Sequence, residues 1–90
     1  MLFVAKCYWP GVTEGELEAL AARATRVHPV RRDVAYLGSL LFAADDLVLC
    51  LFEGPSRAAV KRAADRAGIP CERVMDSVWL ARDGPTTSGP

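Results

Sequence analysis

Apolar and polar positions along this chain alternate, change period, and alternate again. Residues 2–9 (LFVAKCYW) place Phe3, Ala5 and Cys7 on one side and Val4, Lys6 and Tyr8 on the other, which predicts a strand. Pro10-Gly11 breaks it. Thr13-Glu14-Gly15-Glu16 then has the spacing of a capping box, and Val12 and Leu17 occupy the positions of a hydrophobic staple. Leu17, Leu20, Ala21, Ala24 and Val27 form one helical stripe, which Pro29 ends. Two apolar runs follow, 34–42 (VAYLGSLLF) and 47–53 (LVLCLFE), joined by Ala43-Ala44-Asp45-Asp46; a short polar turn between such runs predicts a hairpin. After Gly54-Pro55, Ser56 can cap a second helix. Val60, Ala63, Ala64 and Ala67 face inward there, Arg57, Lys61, Arg62, Asp65 and Arg66 face water, and Gly68 with Pro70 stops the helix. Residues 73–80 (RVMDSVWL) are expected to supply a last strand. Residues 1–82 thus make one domain, and 83–90, with turn and linker composition, a disordered tail.

The order β-α-β-β-α-β predicts an α+β fold of the ferredoxin-like split type, a four-stranded antiparallel sheet with both helices on one face. The segment Leu47–Phe52 is apolar at every position, which suits burial on both faces. Two sheets packed face to face would provide it, so the expected assembly is a homodimer, a dimeric α/β barrel. A monomer with Cys50 or Phe52 partly exposed is the alternative.

Ninety residues suffice for one small core, and a chain of this size buries only roughly 60% of its unfolded surface, so a dimer interface would add useful burial. The formal net charge is zero. Nothing drives phosphate binding, and nucleic acid is not an expected partner. No run reaches the roughly 18 apolar residues of a membrane span, and no basic n-region precedes Phe3, so neither membrane nor secretion is expected. Cys7, Cys50 and Cys71 are odd in number and widely spaced in sequence, unlike a disulfide framework or a zinc knuckle; a reduced, cytoplasmic protein is expected.

Tyr8-x-Pro10-Gly11-Val12-Thr13, Tyr36-Leu37-x-Ser39, Cys50-Leu51-Phe52-Glu53-x-Pro55-Ser56 and Arg66-Ala67-Gly68-Ile69-Pro70 resemble the "domain of unknown function" 4242 family, which includes small nickel-binding proteins. The likeness spans residues 2–80 and implies a ferredoxin-like domain that dimerises. It implies little about reaction chemistry. The family often has an acidic residue where this chain has Lys6, and His or Asn where it has Ala64. His28 is the one imidazole, and nickel favours imidazole, thiolate or carboxylate donors in defined geometry. No metal ligand is assigned.

Lys6 is the most informative polar residue. Its alternation with Val4 and Tyr8 aims it, with Tyr8, into the dimer interior, where Asp76 on the neighbouring last strand could approach. An ammonium beside a carboxylate and phenols suits proton transfer; a structural ion pair or a snorkelling lysine is the plain alternative. The candidate catalytic set is Lys6, Asp76, Tyr8 and Tyr36. Ser39, Cys50, Phe52 and Trp79 are candidates to contact a bound molecule, with Trp9 as a further wall, although strand aromatics are also ordinary packing residues. Burial would raise the thiol pKa of Cys50 and of Cys7 and make both inert, while Cys71 is expected in a loop. Asp45-Asp46 suits a solvated turn, and Glu14, Glu16 and Glu18 suit a helix N-terminus. No P-loop, G-x-G-x-x-G, H-E-x-x-H or G-x-S-x-G is present. The expected function is binding, and cofactor-free proton-transfer cyclisation or isomerisation, of a small, largely apolar molecule. The alternatives are binding of nickel or another transition metal, and a non-catalytic interaction module.

Overall fold

The computed structural model describes residues 1–27 and 33–81, with side chains for 1–24 and 33–81. The expected terminator Pro29, the lone His28 and the tail 83–90 lie outside the described residues. The order is β1 (Leu2–Tyr8), α1 (Glu14–Val27), β2 (Ala35–Phe42), a 3-10 turn (Ala43–Asp45), β3 (Leu47–Glu53), α2 (Arg57–Arg66) and β4 (Cys71–Ser77). The strands form one antiparallel sheet in the order β2-β3-β1-β4. This is the ferredoxin-like arrangement that the pattern predicts.

Local chemistry accounts for the element ends. The Thr13 hydroxyl accepts from the Glu16 amide at 3.1 Å, and the Thr13 amide donates to the Glu16 carboxylate at 3.0 Å, so both halves of the capping box form. The Ser56 hydroxyl accepts from the Ala59 amide at 3.2 Å, satisfying one of the first free amides of α2. At its other end Gly68 takes φ +73°, donating to the Asp65 carbonyl, while Ile69 donates to the Ala64 carbonyl. That pair of bonds is a Schellman motif, and its left-handed residue favours glycine.

The core lies between the sheet and the helices. Phe3, Ala5 and Cys7 of β1 and Val48, Cys50 and Phe52 of β3 meet Leu20 and Ala24 of α1 and Ala59, Val60, Ala63 and Ala64 of α2, all buried. The small residues of α2 let its backbone approach the sheet.

Two irregularities decide which side chains share this face. In β2 the register shifts between Tyr36 and Gly38, so Tyr36 opposes Phe52 and Ser39 opposes Cys50. Leu37 is the extra residue, and Gly38 accommodates φ +146°. Three residues apart, Tyr36 and Ser39 therefore both face the helices. In β4 the register shifts between Arg73, opposite Lys6, and Cys71, opposite Cys7. Glu72 is the extra residue there, and Cys71 joins the core side.

The last strand ends earlier than the sequence suggests. Val78, Trp79 and Leu80 lie beyond β4 and are exposed. The burial of β3 alternates as well: Val48, Cys50 and Phe52 are buried, and Leu47, Leu49 and Leu51 are half-buried on the opposite face. The residues that a monomer leaves uncovered are thus these leucines, not Cys50 or Phe52.

Candidate functional site

Two surfaces of the sheet compete for a functional role. The open face carries Lys6 and Tyr8 as expected, but Asp76 is not beside them. Asp76 opposes Phe3, and Arg73 opposes Lys6. In an antiparallel ladder opposed residues share a face, so Asp76 belongs to the helix side. Its carboxylate lies 3.4 Å from the Arg57 guanidinium of α2, whereas the Lys6 ammonium lies 3.9 Å from Glu72; both pairs are exposed. The structure therefore does not assemble Lys6 and Asp76 into one proton-transfer pair. Tyr8, opposite Leu47 on the open face, is 57% exposed, and Trp79, beyond β4, is 75% exposed.

The helix side does bring candidates together. The Tyr36 hydroxyl lies 2.6 Å from Ser39 Oγ, and Ser39 Oγ donates to Cys50 Sγ at 3.1 Å. A serine has one hydroxyl proton, so Tyr36 is the donor in the first bond. The Tyr36 and Phe52 rings pack at 5.5 Å between centroids, tilted by 59°. Burial pushes the Tyr36 phenol above its ordinary pKa, while the Ser39 hydroxyl, free to turn and donate to a phenolate, opposes that rise. Of the six residues Tyr36, Ser39, Cys50, Phe52, Tyr8 and Trp79, the first four form one connected group.

This group borders a groove of about 510 Å³ between α1 and β2, lined by Glu14, Leu17, Glu18, Ala21, Tyr36, Ser39, Leu41 and Ala43. Glu14 and Glu18 are four residues apart and so lie one turn from each other on the same helix flank. Leu17, Ala21 and Leu41 supply apolar wall. Asp46, at φ +52°, holds the adjacent turn: its carbonyl accepts from Trp9 at 2.7 Å and its carboxylate from Gly11 at 3.2 Å. The mouth of the groove is thereby tied to the loop preceding α1.

Sequence reasoning missed the helix wall of the groove. The signal was present in the i, i+4 spacing of Glu14 and Glu18, which a helix-dipole role already explained. It also missed that Cys7 interacts with each of the other two cysteines. Cys7 is flanked by Cys50 and Cys71, and hydrogen bonding among these thiols, with burial, drives its pKa strongly upward. Donation from Cys7, and less so from Ser39, outweighs burial and holds the Cys50 thiol below its ordinary pKa, contrary to the expectation from burial alone. Cys71 is the first residue of β4 and half-buried, not a loop residue.

A model of the family described as "Nickel responsive protein SCO4226-like" matches residues 3–76. The chain belongs to the SCO4226-like family. The crystal structure of SCO4226 from Streptomyces coelicolor A3(2) is similar, with a TM-score of 0.80 and 24% identity, covering 90% of this chain and 100% of that one. At that identity the likeness shows the fold alone. No curated protein matches the chain. Among the described residues, no three His, Cys, Asp or Glu side chains converge in a way that could hold a metal ion. The lone imidazole, His28, lies outside the described residues. Among the described residues, no helix is long and apolar enough to cross a membrane.

Proposed function

We propose that this SCO4226-like chain is a binding protein for a small, largely apolar molecule carrying a cationic end, taken up in the groove between α1 and β2. One observation carries the reading: a hydrogen-bonded hydroxyl pair, Tyr36 and Ser39, borders a 510 Å³ groove whose rim holds Glu14 and Glu18. A few polar groups set in an otherwise apolar concavity are the usual composition of a small-molecule site. The carboxylates favour an ammonium or amidinium, the leucines favour an alkyl or aryl body, and Ser39 and Tyr36 offer oxygen acceptors. Binding, rather than proton transfer, is the reading favoured here, because Lys6 and Asp76 are held on opposite faces. The Cys50–Ser56 and Arg66–Pro70 blocks support the finer grouping with the "domain of unknown function" 4242 proteins.

The reading includes self-association through the open sheet face. Val4, Leu47, Leu49, Leu51 and Met75 are half-buried there, while Leu40 and Phe42 are 53% and 41% exposed. The face is mostly apolar around Lys6 and Arg73, and such a face needs a cover. A second copy is the occupant proposed, because the formal net charge of zero opposes no like-with-like approach and the cover required is itself apolar.

The test is thermal unfolding of the protein with straight-chain alkylammonium ions. A ligand at about 100 times its Kd stabilises the folded state by roughly 2.7 kcal/mol. That corresponds to a rise in Tm of roughly 10 °C or more for a domain of this size. The rise should be lost in Glu14→Gln/Glu18→Gln and absent with the matching alkyl alcohols. An equal rise in the double variant would place the ligand elsewhere.

A further inference from the structure

The thiols of Cys7 and Cys71 play no part in the groove, yet their placement is specific. They are opposed residues on neighbouring antiparallel strands, brought to one face by the irregularity at Glu72. Opposed residues in such a ladder have Cα atoms about 4.5–5.5 Å apart, within the roughly 4.4–6.8 Å spanned by disulfides. Both are free thiols; Cys7 is buried and Cys71 is half-buried at the strand start. In an unshifted register Glu72 would oppose Cys7 and the two sulfurs would lie on opposite faces.

We propose that Cys71 is a modification site for hydroperoxides, with Cys7 as the thiol that resolves its oxidised form into an intramolecular disulfide. In the first step the Cys71 thiolate attacks the terminal oxygen of the hydroperoxide. The O–O bond breaks, an S–O bond forms, and the alkoxide or hydroxide leaves with a proton as alcohol or water. Cys71 is then a sulfenic acid. In the second step Cys7 sulfur attacks Cys71 sulfur; the S–S bond forms, the S–O bond breaks, and hydroxide leaves with the Cys7 proton as water. Two thiols are oxidised by two electrons and one peroxide bond is reduced. A dithiol reductant reverses the change.

The surroundings suit these roles. Hydrogen bonding with Cys7 and the nearby Lys61 ammonium hold the Cys71 thiol at a pKa of about 7, against burial and the Asp65 carboxylate. The Arg73 carbonyl accepts from Cys71 Sγ at 3.4 Å. At pH 7 such a thiol is about half thiolate, against roughly 3% for a thiol of pKa about 8.5. Cys7 is shielded from bulk reagents by burial. It can act only on an adjacent sulfur. The pairing is separate from the groove, whose bordering thiol is Cys50.

The test treats the reduced full chain with one equivalent of hydrogen peroxide, alkylates the remaining thiols, and maps the digest by mass spectrometry. The expected product is a Cys7–Cys71 linkage, lighter by two hydrogens, with Cys50 alkylated, and restored by dithiothreitol. Before oxidation, Cys71 should be alkylated at neutral pH roughly tenfold faster than a thiol of ordinary pKa. Cys71→Ser should abolish the linkage. Cys7→Ala should instead leave a Cys71 sulfenic acid that a cyclic 1,3-dione traps, and Cys7→Val serves the same purpose if alanine loosens the core. A Cys7–Cys50 linkage, a linkage between chains, sulfinic acid at Cys71 in the unsubstituted protein, or no reaction would each overturn the proposal.

Discussion

Leu49→Asp, at the centre of the open sheet face, should convert the protein from dimer to monomer while leaving it folded. Leu49 opposes Lys6 on β1 and Leu40 on β2, and it is half-buried in the single chain. Burying a whole leucine is worth about 1.5–3 kcal/mol, so covering the remaining half contributes roughly 1 kcal/mol per copy, or about 2 in a symmetric pair. Asp also takes two carboxylates into the interface, and even across from Lys6 the desolvation of each exceeds what pairing returns by at least about 1 kcal/mol. The sum exceeds about 4 kcal/mol, which weakens association by roughly a thousandfold or more. The single chain is spared most of this, because the new carboxylate lies directly across from Lys6 and can stay in water. Sedimentation velocity over a hundredfold range of concentration reads the molar mass, and circular dichroism confirms the fold. Ala22→Asp, on an exposed position of α1, is the control and should remain dimeric. A monomeric parent protein, or a Leu49→Asp variant that stays dimeric, would refute the reasoning.

Further outcomes follow from particular contacts. Gly68→Ala should destabilise the chain by about 1–2 kcal/mol in chemical denaturation, because an L-residue at φ +73° pays the left-handed penalty. Ser56→Ala should cost about 1 kcal/mol through loss of the α2 cap, whereas Arg57→Ala, which breaks only an exposed pair with Asp76, should cost less than about 0.5 kcal/mol. The rate of Cys71 alkylation should rise with pH through a midpoint near 7, since the thiolate reacts and its pKa is lowered to about 7. Burial raises the Tyr36 phenol, so the unfolded chain ionises first on the alkaline side. The contribution of Tyr36 to stability is then complete below the ordinary phenol pKa of about 10 and is lost as pH rises above it, a trend Tyr36→Phe should flatten.

The fold was legible because its local signals agree. Thr13 with Glu16, Ser56, and Gly68 each mark a helix end through a backbone need that the sequence states directly, and the two apolar runs of β2 and β3 flank a turn. The site was less legible, because strand register is a long-range property. Lys6 and Asp76 look like partners on neighbouring strands, yet β4 enters the ladder with Arg73 opposite Lys6, and parity then assigns Asp76 to the other face. Each irregular strand also breaks the period-two reading at one residue. Leu37 in β2 is why Tyr36 and Ser39 share a side, and Glu72 in β4 is why Cys71 meets Cys7. Gly38 hints at the first; nothing in Glu72 hints at the second. Cys50 was read correctly as buried mid-strand, but its electrostatics depend on Cys7 and Ser39, which lie on two other strands.

The most direct test of the groove as a small-molecule site is an amide NMR titration of the protein with an alkylammonium ligand. The account predicts saturable shifts at Leu17, Ala21, Ser39 and Leu41, with the amides of Leu49 and Met75 on the open face unmoved. Shifts confined to the open face, or no saturable shifts at all, would contradict it.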